Sequence, residues 1–309
     1  MDAMERQTKG IIIKGVGGLY TVRFANGSTV VCRARGAFRH EGISPLVGDR
    51  VTLTEDGEQG FVIEEIYERK NSLIRPPMAN LDYLFVTMAA AAPTPILTTV
   101  DKLTAIAEHN HIEPVIVITK RELNPSYAEE LRALYSQCGF TAFALSSLEG
   151  EGIEALQSYI QENLHQKIAA FAGASGIGKS TLLNRLFPNL QLSTSEISRK
   201  IERGRHTTRE VTLFPLSTEE NCGYIADTPG FSMLDFERFD FMDCDDLPLA
   251  MREFVDRIGL CRYTKCSHTK EDGCAVVDAV CRGEIPKSRH ESFCELHTIL
   301  KTKKKWDKR

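Results

Sequence analysis

The chain has 309 residues, of which 42% are hydrophobic and 26% charged, and a formal net charge of -4. At about 100–200 residues per domain this predicts two or three domains, and the composition excludes global disorder. The charge excludes a uniformly basic protein, though not a local nucleic-acid surface. Met1–Lys9 is charged and lacks an apolar run, so no signal peptide is expected. Apolar stretches stay well short of the ~18 residues a membrane span needs, so a cytoplasmic protein without membrane contact is expected. Four of the nine cysteines fall between Cys261 and Cys281. In a cytoplasmic protein such clustering favours metal over disulfides.

From Met1 to about Arg75 the pattern is short strands: Gly10–Val16, Leu19–Phe24, Thr29–Ala34, Arg50–Thr54 and Phe61–Tyr67. Asn26-Gly27 is a hairpin signal. Five such strands predict a small closed barrel, an OB-fold or its close rival, an SH3-like barrel. Arg33, Arg35, Arg39 and His40 form a basic cluster suited to RNA, or simply a solvated surface. Asn71–Asn80 holds Pro76-Pro77 and reads as a linker.

Strands and helices then alternate. Strands are expected at Tyr83–Met88, Pro114–Ile118, Phe140–Leu145, Ile168–Ala172, Glu210–Phe214 and Gly223–Ala226. Helices are expected at Leu103–His109, Tyr127–Cys138, Ile153–Asn163 and Lys179–Leu186. This is a mainly parallel sheet covered by helices, an α/β domain from Leu81 to Leu234. From Phe236 the chain reads as acidic and helical, then cysteine-rich from Cys261. Helices follow at Ala275–Cys281 and Arg289–Lys301, and a basic tail ends at Arg309. The expected domains are 1–75, 81–234 and 235–309.

The sharpest motif is Gly173-Ala174-Ser175-Gly176-Ile177-Gly178-Lys179-Ser180, between an apolar strand and a helix. That context makes it a phosphate loop. Glycines let backbone N–H groups wrap the phosphates, and the helix N-terminus adds favourable dipole charge. Lys179 reaches the β and γ phosphates, Ser180 ligates magnesium and Thr181 supports the loop. Asp227-Thr-Pro-Gly230 follows a later strand. Asp227 holds magnesium through water, and the Gly230 amide senses the γ phosphate. This motif points to the GTPase branch. Between the two lies Gly204-Arg-His-Thr-Thr-Arg209, a loop suited to a nucleotide-sensing switch. Thr207 or Thr208 is its magnesium ligand, with Thr208 preferred; a plain basic loop is the alternative.

Downstream of Asp227 no Asn/Thr-Lys-x-Asp sequence follows an apolar strand; Thr269-Lys270-Glu271-Asp272 lies inside the cysteine/histidine segment. Upstream of the phosphate loop, however, one strand feeds Thr119-Lys120-Arg121-Glu122 and the next feeds Ser146-Ser147. These are the two guanine-reading loops in their usual mutual order, placed before the phosphate loop. The order implies a circularly permuted GTPase domain, tolerable because domain termini lie at the surface and close together. Glu122 replaces the usual aspartate and offers the same bidentate acceptor. An ordinary charged loop and an ATP substrate are the alternative.

Near the end, Cys261-x4-Cys266-x-His268-x5-Cys274 supplies three thiolates and an imidazole, a closed set typical of structural zinc. Cys281 and Cys294 read as small apolar packing residues. Arg282, Lys287 and Arg289 add positive charge around this region, and the tail with Trp306 is either rRNA-binding or simply solvated.

The whole set of features, including Arg75-Pro-Pro-Met-Ala-Asn-Leu-Asp82, resembles the ribosome small-subunit-dependent GTPases, a circularly permuted bacterial family. The resemblance implies an OB-fold barrel, a permuted P-loop GTPase domain and a mainly helical zinc-binding domain. It implies GTP hydrolysis stimulated by the 30S ribosomal subunit, a role in late 30S maturation, and docking on 16S rRNA. It also implies Cys261, Cys266, His268 and Cys274 as ligands of one structural zinc, and magnesium bound with GTP. The protein is expected to be a monomer that cycles between GTP and GDP. Many GTPases place a water-orienting glutamine after D-x-x-G, where this chain has Phe231. The family's switch histidine corresponds to His206, expected to position or polarise the water. The competing readings are a GTPase switch regulating translation initiation and an RNA-binding scaffold with negligible hydrolysis.

Overall fold

The structure, a computed structural model, describes residues 8–40, 42–56, 60–188, 211–220, 222–227 and 242–303. Its contacts divide the chain into two units. One comprises Met1–Asp82, Tyr159–Ala170 and Phe187–Phe231, the other Tyr83–Ser158, Phe171–Leu186 and Ser232–Arg309.

The first unit opens with strands β1 (Thr8–Val16), β2 (Leu19–Phe24), β3 (Thr29–Ala34), β4 (Arg50–Asp56) and β5 (Gly60–Ile66). The single helical turn α1 (Ala37–His40) lies between β3 and β4. β1 pairs antiparallel with both β2 and β4, β3 pairs parallel with β5, and β5 pairs antiparallel with β4. The five strands therefore close into a barrel in the order β1-β2-β3-β5-β4-β1. This is the OB-fold and not the SH3-like rival. Ile12, Val22, Val51, Leu53 and Ile63 fill it with no exposure. Cys32 joins them, and burial pushes its thiol up to about 11. At the β2–β3 turn Gly27 adopts φ +84°, which a side chain would disfavour. The Asn26 carboxamide oxygen accepts from the Ser28 amide at 3.0 Å.

The expected linker is a small hairpin instead. β6 (Ser72–Leu73) and β7 (Met78–Ala79) pair antiparallel, with Met78 and Ala79 fully buried. The neighbouring asparagines satisfy backbone that a linker would leave to water. Asn80 Nδ2 donates to the Gly48 carbonyl at 3.0 Å, and Asn71 Oδ1 accepts from the Leu81 amide at 3.0 Å. Pro76-Pro77 marks the turn between the strands, not a flexible tether.

The second unit carries parallel strands β8 (Tyr83–Ala89), β9 (Glu113–Thr119) and β10 (Thr141–Ala144), with β9 central. β8 is buried at every position and β9 at all but Glu113, as strands covered on both faces must be. Helices α2 (Leu97–His109), α3 (Pro125–Gln137) and α4 (Ile153–Asn163) alternate with them. α2 starts six residues before the expected Leu103, because Thr98 and Thr99 hide its apolar period. β11 (Ile168–Ala172) leads to α5 (Lys179–Leu186). In the first unit β11 pairs parallel with β13 (Tyr224–Asp227), which pairs antiparallel with β12 (Thr212–Pro215).

The expected helix from Phe236 differs where it is described: residues 244–250 form turns, and Arg252–Arg257 is a 3-10 helix. Pro248 has no N–H to continue a helix. Helices α6 (Ala275–Cys281) and α7 (Lys287–Thr302) complete a C-terminal region packed within the second unit. Among the described residues no helix is long and apolar enough to cross a membrane.

Candidate functional site: a nucleotide pocket and a metal centre

The phosphate loop, residues 173–180, joins fully buried β11 to α5. Gly173 has φ +150°, and a Cβ there would meet the Thr87 carbonyl oxygen at 2.3 Å. No other residue fits so close to β8. Gly176 and Gly178 also adopt positive φ, at +79° and +88°. Ile177 turns inward at 3% exposure and anchors the loop, while Ala174, Ser175 and Gly176 face solvent. Lys179 is half-buried as the first residue of α5, and Ser180 and Thr181 are exposed in its first turn. An anion held here meets backbone N–H groups and the positive helix end.

Thr119 and Lys120, at the carboxyl end of β9, are hooked onto this loop. Thr119 is 1% exposed, and its hydroxyl lies against the carbonyls of Ile177 and Met88, the latter at 3.0 Å. With a single proton it donates to one at a time. Lys120 adopts φ +56°, and its ammonium donates to the Gly176 carbonyl at 2.7 Å and to the Ala92 carbonyl. The loop after β9 and the phosphate loop are thus one hydrogen-bonded assembly.

Four buried side-chain polar atoms among the described residues lack a partner, and two of them sit on the loops that follow β9 and β10: Glu122 Oε2 and Ser147 Oγ. Unpaired buried polar atoms are costly and point to a missing partner. A guanine edge, with its N1–H and exocyclic amine, supplies donors for a carboxylate. Glu122 lies in a 3-10 turn, Arg121–Leu123. The Arg121 amide donates to the Leu145 carbonyl at 3.1 Å, and its guanidinium pairs with Glu151, which locks the two loops together. Spacing alone carries no signal for that pairing. Ser146 is fully buried and its hydroxyl accepts from the Glu149 amide at 3.1 Å, so it shapes the loop, whereas Ser147 keeps a free hydroxyl.

Asp227 ends β13, opposite Thr212 of β12. Gly230, Phe231, His206, Thr207 and Thr208 lie outside the described residues, as do residues 304–309 of the basic tail, Trp306 among them.

The cysteine/histidine set converges. The ligand atoms of Cys261, Cys266, His268 and Cys274 all lie within 4.8 Å of one another. His268 Nδ1 is 3.5 Å from the sulfurs of Cys261 and Cys274, and those sulfurs are 3.9 Å apart. Tetrahedral zinc implies about 3.6 Å between sulfur and nitrogen and about 3.8 Å between sulfurs. The donor set therefore fits zinc, with no ligand position left for water. Burial raises the Cys274 thiol, pushes Cys266 up to about 12, and lowers His268, which keeps the imidazole neutral and able to ligate. Between the ligands, burial raises the Glu271 carboxyl. Hydrogen bonds from the Ser267 hydroxyl and from amides of Ser267, Thr269 and Lys270 outweigh that and hold it at about 2.

Several charges expected to face RNA are otherwise engaged. Arg289 is fully buried between Asp101 and Glu253. Arg282 pairs with Glu284 and Lys287 with Glu291. On the barrel, Arg33 is exposed and Arg35 pairs with Glu64; the side chains of Arg39 and His40 lie outside those described. Cys281 is exposed and does not pack, while Cys294 is half-buried beside His290.

Known proteins match this architecture along its whole length. Residues 66–237 match the family model "RsgA GTPase", and residues 9–63 match "RsgA N-terminal domain". The chain is 41% identical to the small ribosomal subunit biogenesis GTPase RsgA of Bacillus pumilus, over 96% of this chain and 98% of that protein. It is 40% identical to the protein of the same name from Caldanaerobacter subterraneus, over 98% of both. Among solved structures it is similar to YjeQ from Thermotoga maritima, with a TM-score of 0.81 and 32% identity, covering 96% of this chain and all of that one. It is also similar to YloQ, described as a circularly permuted GTPase, with a TM-score of 0.76 and 30% identity over 98% and 99% of the two chains. With its OB barrel, its phosphate loop and its Cys3His cluster, this chain belongs to the RsgA GTPase family and is a circularly permuted GTP hydrolase.

Proposed function

We propose that the chain couples GTP hydrolysis to late maturation of the 30S ribosomal subunit, that the subunit stimulates the hydrolysis, and that docking is on 16S rRNA. The observation that carries this is identity near 40%, over nearly the full length, to proteins named for small ribosomal subunit biogenesis. The protein acts in the cytoplasm as a monomer. Its parts are an OB barrel over 1–75, the permuted GTPase over 81–234 and a zinc-bearing helical domain with a basic tail over 235–309.

The unpaired Glu122 and Ser147 atoms support guanine as the base, with Thr119, Lys120 and Ser146 holding the reading loops in place. Backbone N–H groups of residues 173–180 cradle the phosphates, and Lys179 draws charge from the β and γ oxygens. Magnesium, when bound, neutralises charge building on those oxygens; Ser180 and Thr208 hold it, and Asp227 holds its water. The Gly230 amide reads the γ phosphate. His206 orients the attacking water, because Phe231 cannot hydrogen-bond to it. Zinc on Cys261, Cys266, His268 and Cys274 is structural.

The test is GTP turnover by the full chain with and without purified 30S subunits. Several-fold or greater acceleration is expected. Turnover indifferent to 30S at saturating concentration would remove the proposal.

A further inference from the structure

A cavity of about 180 Å³ lies on the first unit, where the barrel meets β13. Its polar lining comes from Lys9, Arg23, Arg50, Tyr67, Gln166 and Tyr224, and among the described residues no carboxylate lines it. It has room for more than a lone water.

Arg23 is the centre of the argument. It is 5% exposed and makes no ion pair among the described residues. One of its guanidinium nitrogens donates to the Tyr224 hydroxyl at 3.1 Å, across 201 residues of sequence. Guanidinium has five N–H donors, so most of its capacity is unused by this contact. Because Tyr224 accepts there, its own O–H remains a donor. Arg50 is exposed and contacts the Gln166 carbonyl at 3.1 Å. Lys9 is exposed and lies 5.4 Å from the centroid of the Tyr67 ring. Burial raises the Tyr224 hydroxyl, while Arg23 and Arg50 both act against that rise, which places its oxygen in their shared field.

A buried guanidinium without a carboxylate is expensive, and an anion offsets that cost. Three cations and a tyrosine O–H match the oxygens of a phosphate group. Tyr224 is 8% exposed and contributes its hydroxyl, while the half-buried Tyr67 ring matches a planar base, which stacks on aromatics with little sequence preference. We propose that this cavity is a second phosphate site, built from residues outside the phosphate loop, which takes a nucleotide unit with its phosphate on Arg23, Arg50 and Lys9 and its base against Tyr67. The unit comes either free or as part of a single-stranded polynucleotide.

The test uses the full chain saturated with GDP, titrated with adenosine monophosphate and, separately, with a single-stranded oligouridylate. The variant is Lys9→Gln combined with Arg50→Gln, both at exposed positions so that folding is spared. Arg23→Gln, at a buried position, is a second variant, checked for an unchanged circular dichroism spectrum. Binding of at least one probe is expected, weakened about tenfold or more in the double variant, with GDP affinity unchanged. Adenosine monophosphate binding alone identifies a free nucleotide as the ligand; oligouridylate binding alone identifies a strand. Failure of both probes to bind, or equal binding by the double variant, overturns the proposal.

Discussion

Arg289 and Asp101, 188 residues apart in sequence, meet at 2.6 Å with the guanidinium wholly out of solvent. The same guanidinium donates to Glu253 at 2.7 Å and to Thr104 at 3.1 Å, and its centre lies 5.3 Å from the Phe140 ring. Tyr135 donates its hydroxyl to the same Asp101 oxygen at 2.8 Å. α7 is thereby fastened to α2, and Arg252 repeats the device by binding Glu108, Glu113 and the Gly139 carbonyl. The C-terminal region is thus tied to the nucleotide-binding half by buried charge as well as by apolar contact.

Arg289→Met removes the cation and leaves two buried carboxylates facing each other. Breaking such a group by deleting one partner costs about 3–5 kcal/mol. A clear fall in the thermal unfolding midpoint is expected. Adding Asp101→Asn and Glu253→Gln to that variant removes the stranded charges and recovers part of the loss. A midpoint unchanged by Arg289→Met means that the pairing contributes nothing to stability.

Glu122→Ala tests base reading. A charge-assisted hydrogen bond is worth about 1.5–3 kcal/mol, so GTP and GDP affinities should each fall about ten- to a hundredfold. ATP affinity should stay where it is, which separates base recognition from damage to the phosphate loop. Ser147→Ala should cost less, since it removes a neutral hydroxyl. Equilibrium titration with fluorescent nucleotides measures all of these. Undiminished GTP affinity in Glu122→Ala assigns the carboxylate no part in guanine recognition.

Elemental analysis of the purified chain should find one zinc, held by the Cys3His cluster. Cys266→Ser should leave it substoichiometric and make the C-terminal region sensitive to protease. Chelation should act the same way on the parent chain, because metal binding energy in so small a cluster is folding energy. A metal-free chain of undiminished protease resistance contradicts the assignment.

His206→Ala should slow single-turnover GTP hydrolysis with saturating 30S about a hundredfold or more, the scale of one acid–base or water-positioning group. GTP affinity should hold, because the imidazole is assigned to the water and not to the nucleotide. An unchanged rate assigns His206 elsewhere, to RNA contact or packing.

Much of this molecule is local pattern. The phosphate loop is legible because three glycines and a Lys-Ser pair at fixed spacing specify one backbone path, and Gly173 at φ +150° against Thr87 shows why that position tolerates no side chain. The permuted order of the base-reading loops is legible too, because each loop follows its own apolar strand. The Cys/His set is countable from its spacing, and its ligand atoms converge. All of these depend on residues near one another in sequence, where spacing and backbone geometry are linked directly. Other features depend on which distant segments meet. Asn71–Asn80 has loop composition, yet its asparagines bind the backbone of Gly48 and Leu81. Thr119 and Lys120 read as parts of a base-reading loop, and nothing in their spacing shows that their side chains also grip the carbonyls of Ile177 and Gly176. Arg289 reads as surface charge and is buried, while Arg23, one arginine among many, lines a cavity against Tyr224. A charged side chain's role is decided by its partner and by its access to water. Neither is encoded within a few residues of the side chain itself, so only the tertiary structure decides it.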